Sequence, residues 1–166
     1  MNKNIFIAQT AIFVAAAAVL GFIESLLPVP SGLYGMKLGL SNIVVLVVLY
    51  LLGTKNAVWA AFTKILVCSL LYSGVSGLLY SICGGVLSLA IEIFLKRTRL
   101  FSIIGVSCAG GIFHNLGQLL CACILIGKNV FYYFPVLVLS GTVTGILTGI
   151  AAAAVVKKGE AFLEQK

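Results

Sequence analysis

The chain has 166 residues, is 61% hydrophobic and 9% charged, and carries a formal net charge of +7. So apolar a composition leaves no room beside its long hydrophobic stretches for a water-soluble enzyme or a second domain, and it predicts a single transmembrane domain over residues 1–166. The positive residues gather at the ends of the apolar runs, where anionic headgroups and the positive-inside rule account for them, so no nucleic-acid partner is expected.

A helix needs about 20 apolar residues to cross a bilayer. The sequence predicts an all-α bundle of six transmembrane helices at residues 5–27, 40–52, 56–73, 77–95, 102–126 and 131–156. The first follows Lys3 and looks at its start like a signal peptide. Its apolar stretch runs to Leu27, however, beyond the roughly 7–15 residues of a cleavable core, so it is expected to stay in the membrane. One face carries Ala11 and Ala15 and continues through Ala18, with Ala16, Ala17 and Gly21 beside it. In an alanine-rich helix such spacing arises easily and alone says little about a partner.

Glu24 sits near the end of this helix, and Pro28 and Pro30 stop it. The glycine-rich connection that follows carries Tyr34, Lys37 and Asn42. It reads either as a lid, whose glycines let backbone approach a ligand closely, or as an ordinary exposed connection with a lysine anchor. The second helix is short for a full span.

Lys64 lies about eight residues into the third helix. It either snorkels to the headgroups or, the preferred reading, pairs with Glu92 near the inner end of the fourth. Glu24 is expected to be a poor partner for Lys64, because the topology puts the two near opposite faces.

The fifth helix holds the richest polar set. His114 and Gln118 are four residues apart and share a face, with Asn115 beside them. Unpaired polar groups in hydrocarbon are costly, so each is a functional candidate. The set reads as the lining of a ligand cavity, against the plainer reading of a hydrogen-bond cluster between helices. The sixth helix carries Gly141, Gly145, Gly149 and Ala153 at four-residue spacing, which lets another helix approach closely. Packing inside the bundle is preferred over a contact between subunits. Tyr72, Tyr80, Tyr132 and Tyr133 fall near outer ends, as in an aromatic belt.

With the N-terminus in the cytoplasm, the inside receives Lys3, Lys55, Lys96, Arg97, Arg99, Lys157, Lys158 and Lys166, and the outside only Lys37 and Lys128. That bias predicts a multi-pass protein of the bacterial cytoplasmic membrane with both termini cytoplasmic.

The chemical inventory argues against catalysis. There is no Asp, and of the four Glu (Glu24, Glu92, Glu160, Glu164) the last two belong to a polar tail. Clustered carboxylates for a metal or for hydrolysis have little to work with. The single His and the lack of a Gly-x-Ser-x-Gly elbow disfavour a serine hydrolase. The five cysteines (Cys68, Cys83, Cys108, Cys121, Cys123) are odd in number, lack Cys-x-x-Cys spacing and read as small core residues. No cofactor or metal is expected, and there is no phosphate-binding Gly-x-x-x-x-Gly-Lys-Ser/Thr loop, so any energy for transport must come from partners.

Four segments carry a resemblance: Glu24-Ser-Leu-Leu-Pro-Val-Pro30, Gly35-Met-Lys-Leu-Gly-Leu-Ser-Asn42, Phe101-Ser-Ile-Ile-Gly-Val-Ser107 and His114-Asn-Leu-Gly-Gln118. Together they resemble the Gx transporter family, also named heptaprenyl diphosphate synthase component I, over nearly the whole chain. That family belongs with the substrate-binding S components of energy-coupling factor (ECF) transporters, six-helix membrane proteins that bind a vitamin or similar scarce solute near the outer face. The resemblance implies that Ala11 and Ala15 dock on a transmembrane T subunit linked to two cytoplasmic ATPases. It places Glu24, Lys37, Asn42, His114, Asn115 and Gln118 at the substrate pocket. The chain lacks the His near the N-terminus expected of nickel and cobalt relatives, which disfavours a metal as substrate.

The older family name implies a different role, a non-catalytic membrane subunit serving a polyprenyl diphosphate synthase. Prenyl transfer itself needs Asp-rich motifs, and this chain has no Asp. A third reading is a handler of quinone or isoprenoid intermediates, with the His/Asn/Gln patch holding a quinone head.

Overall fold

The structure, a computed structural model, describes residues 3–26 and 39–164. The side chain of Lys3, the connection with Tyr34 and Lys37, and Lys166 lie outside the described residues. Among the described residues every regular element is helical: α1 (Lys3–Leu26), α2 (Asn42–Leu51), α3 (Thr54–Tyr72), α4 (Gly74–Thr98), α5 (Ile103–Leu125), a 3-10 helix (Lys128–Tyr133) and α6 (Phe134–Glu164). Four stretches are long and apolar enough to cross a membrane: Ile7–Leu26, Gly74–Thr98, Ile103–Leu125 and Lys128–Ala161. α2 is too short, and α3, with Lys55, Asn56 and Lys64 in its first three turns, is less apolar.

α5 packs between α4 and α6, α3 lies against α1 and α4, and α2 is held by α1, α3 and α6. The position of α2 explains its composition. Val44, Val45, Leu46, Val47, Val48 and Leu49 are all buried, so every face of the helix is covered, as an all-round apolar helix requires. Its C-terminal carbonyls, which no helix satisfies internally, find a donor: Lys96 Nζ bonds the Leu49 carbonyl and stands 5.0 Å from the centre of the Tyr50 ring. Outside this core the bundle turns large apolar side chains outward, among them Ile12, Leu70, Val75, Val86, Ile124 and Leu139.

Glycine lets α5 meet its neighbours backbone to backbone. A Cβ on Gly141 would lie 2.8 Å from the Gly111 carbonyl oxygen, and one on Gly145 would lie 2.7 Å from Cys108 Cα. On the other side, a Cβ on Gly117 would lie 2.5 Å from the Cys83 carbonyl oxygen of α4. Such close approach is how helices associate where lipid offers no hydrophobic driving force.

Several expectations need correction. The turn expected after Ser73 shrinks, because Gly74 takes a positive φ of 67° and α4 starts at once. α4 continues through Lys96 and Arg97 to a left-handed Arg99, since basic residues favour the last helical turn. Residues 131–133 form 3-10 helix, and α6 begins at Phe134 with Pro135 in its first turn, where the missing N–H costs nothing. The expected polar tail is helical through Glu164, because Lys, Glu and Ala are good helix formers. Cys68 and Cys121 are buried, but Cys83 is exposed; a small thiol is as compatible with an outward face as with the core.

Candidate functional site

Polar residues of this bundle converge around the start of α2. Gly39 donates its N–H to Glu24 Oε1 at 2.6 Å, and at Gly39 φ is +75°, a conformation that suits glycine. Ser41 and Asn42 follow, and Asn42 opens α2 deep among α1, α3 and α5. There Lys64 Nζ donates to Asn42 Oδ1 at 2.5 Å. Lys64 is only 9% exposed, so it does not snorkel to the headgroups.

Glu24, Asn42, Lys64, Ser69 and His114 line one cavity. This overturns the expectation that Glu24 and Lys64 lie near opposite faces. Gly21 faces Cys68 of α3; Glu24 is about one turn beyond Gly21, and Lys64 about one turn before Cys68. The difference in level is about two turns, roughly 11 Å, and both side chains border that cavity. Glu92 borders a second cavity with Lys64 and Asn42. It accepts from Ser88 Oγ at 3.3 Å and presses on Gly110, where a Cβ would fall 2.1 Å from Glu92 Oε1.

The other expected site residues divide. His114 and Gln118 meet at 3.3 Å between their Nε2 atoms, but Gln118 lines a separate cavity beside Tyr80, Tyr133 and Leu137. Asn115 is buried and donates to the Leu137 carbonyl at 2.9 Å and to Ser140 Oγ at 3.1 Å, joining α5 to α6. It also borders a fourth cavity with His114, Asn42 and Glu92. Asn42 is therefore common to the Glu24, Lys64 and Asn115 cavities. Lys37 lies outside the described residues. Ala11 and Ala15 are exposed on the outer face of α1.

Sequence reasoning missed Ser69. It is 1% exposed, lines the Glu24 cavity, and its Oγ has no hydrogen-bond partner among the described residues. A lone serine in an apolar helix gives no signal, because serines commonly bond their own helix backbone. Among the described residues, no group of three His, Cys, Asp or Glu side chains gathers as a metal site would.

The site gathers a carboxylate, an ammonium, an amide, an imidazole and a hydroxyl within an apolar shell, where hydrogen bonds are strong.

A family model described as heptaprenyl diphosphate synthase component I matches residues 13–155. No curated protein and no solved structure matches the chain.

Proposed function

The chain belongs to the heptaprenyl diphosphate synthase component I family, and from that premise we propose that it is the substrate-binding membrane subunit of an ECF-type transporter, taking up a small organic solute such as a vitamin or a precursor. The observation that carries this reading is the cavity that collects Glu24, Asn42, Lys64 and His114 from four helices of an otherwise apolar bundle. Buried charge in such a setting is costly and is retained where it binds or conducts something. The apolar outer surface supports a place in the cell membrane. The exposed Ala11 and Ala15 face supports docking of a T subunit. Two cytoplasmic ATPases then supply the energy that this chain has no loop to bind.

The family description favours a second reading, a non-catalytic membrane subunit that serves a separate polyprenyl diphosphate synthase. A mild-detergent pull-down of the tagged chain from its native membranes, with the recovered proteins identified by mass spectrometry, separates the two. The transporter reading predicts a T subunit and two ATPases; recovery of a soluble prenyl synthase without them would refute it.

A further inference from the structure

The hydroxyls of Thr142, Thr144 and Thr148 each bond a carbonyl of their own helix, the usual resort of a hydroxyl inside an apolar helix. Ser69 does not. It is buried on the wall of the Glu24 cavity, and its Oγ has no hydrogen-bond partner among the described residues. Leaving a buried hydroxyl unbonded is destabilising, so this position calls for a partner from outside the chain.

The surroundings say what that partner is. Glu24 accepts from the Gly39 N–H through one carboxylate oxygen, whereas a carboxylate has about four acceptor sites. Ser41, Ser81 and His114 border the same space. Lys64 borders it too, with its ammonium on Asn42 and within the field of Glu92. The cavity has a volume of about 30 Å³, and one water molecule needs about 10–15 Å³ on that measure. Cavities that stay empty are apolar, while polar ones of this size hold water bonded to two to four protein groups.

We propose that this cavity is a water-binding site: one or two ordered water molecules sit between α1 and α3, hydrogen-bonded to the Ser69 hydroxyl and the Glu24 carboxylate. A water donates to the carboxylate and still accepts from the serine, so one molecule satisfies both groups. The inference holds for either functional reading, because it rests on the orphaned hydroxyl and the polar wall alone. A solute entering here would have to displace this water and part the walls.

The test is a high-resolution crystal structure of the full chain from a lipid phase. Density for a water within about 2.7–3.0 Å of Ser69 Oγ and of a Glu24 carboxylate oxygen is the expected result. A Ser69 hydroxyl turned onto its own helix carbonyl, with no water beside it, would overturn the proposal. Density for an organic molecule on Ser69 would overturn it as well, while leaving the proposed function standing. A second measurement works in nanodiscs. Hydroxyl-radical labelling in oxygen-18 water should mark Ile65 and Cys68, which line the cavity, although both are buried. Ser69→Val, which removes the hydroxyl and fills the space, should lose that label while keeping its helical circular dichroism and elution volume. Equal labelling of parent and variant would contradict a water held by Ser69.

Discussion

Lys64 of α3 donates to Asn42 Oδ1 at 2.5 Å across 22 residues of sequence, and this bond fixes the first residue of α2 inside the bundle. It holds the cavity's cation in place and ties the short central helix to a neighbour. Asn42→Ala removes that acceptor from a buried ammonium and should lower stability by about 1.5–3 kcal/mol. Lys64→Met keeps the stem and removes the charge. In a double-mutant cycle followed by thermal unfolding in detergent, the two changes should couple rather than add; additive losses would mean that the bond contributes nothing.

Asn115 and His114 are neighbours in sequence with different tasks. Asn115 is held by Leu137 and Ser140 of α6, so Asn115→Ala should lower stability by about 1–3 kcal/mol with a smaller effect on ligand affinity. His114 lines the Glu24 cavity, so His114→Ala should weaken ligand binding more than stability. Calorimetry alongside thermal unfolding separates the two, and the reverse pattern would move the site to the α5–α6 interface.

Two glycines should respond differently to a methyl group. At Gly145 the new carbon would lie 2.7 Å from Cys108 Cα and from the Ser107 carbonyl oxygen, both backbone. Gly145→Ala should therefore cost about 1–3 kcal/mol by forcing α5 and α6 apart. At Gly85 the obstacle is Ile65 Cδ1, the far end of a flexible side chain, and alanine's helical propensity offsets part of the strain. Gly85→Ala should stay closer to the parent in unfolding temperature; equal losses would contradict the packing described for α5 and α6.

Ala15 lies on the exposed face of α1, where leucine fits without disturbing the core. Ala15→Leu should leave ligand binding unchanged while abolishing co-purification with the T subunit and uptake by cells. Uptake that survives the substitution would remove this face from the docking surface.

The helices were legible because apolar length and glycine spacing are local signals, and so was the shortness of α2. The reason for that shortness was not: α2 is covered on every side, which only the arrangement of its neighbours reveals. That Glu24 and Lys64 border one cavity was hidden because depth read along separate helices ignores side-chain reach. Asn115 and Gln118 share a motif with His114, yet they turn to α6 and to the Tyr80 side, and spacing along one helix does not say which neighbour each face meets. Ser69 was invisible for a different reason, since an unpaired hydroxyl is a property of its surroundings. The helical end of α6 shows the opposite error: Glu160 and Glu164 read as part of a polar tail, although polarity does not end a helix.

The central claim is that the Glu24–Lys64 cavity holds a water-soluble solute. The most direct measurement purifies the chain and its Ser69→Phe variant from native membranes, denatures both, and identifies the released small molecules by mass spectrometry. The account predicts a water-soluble compound released by the parent and lost from the variant, whose cavity the ring fills. Release of a quinone or prenylated lipid instead, in equal amounts from both, would contradict it.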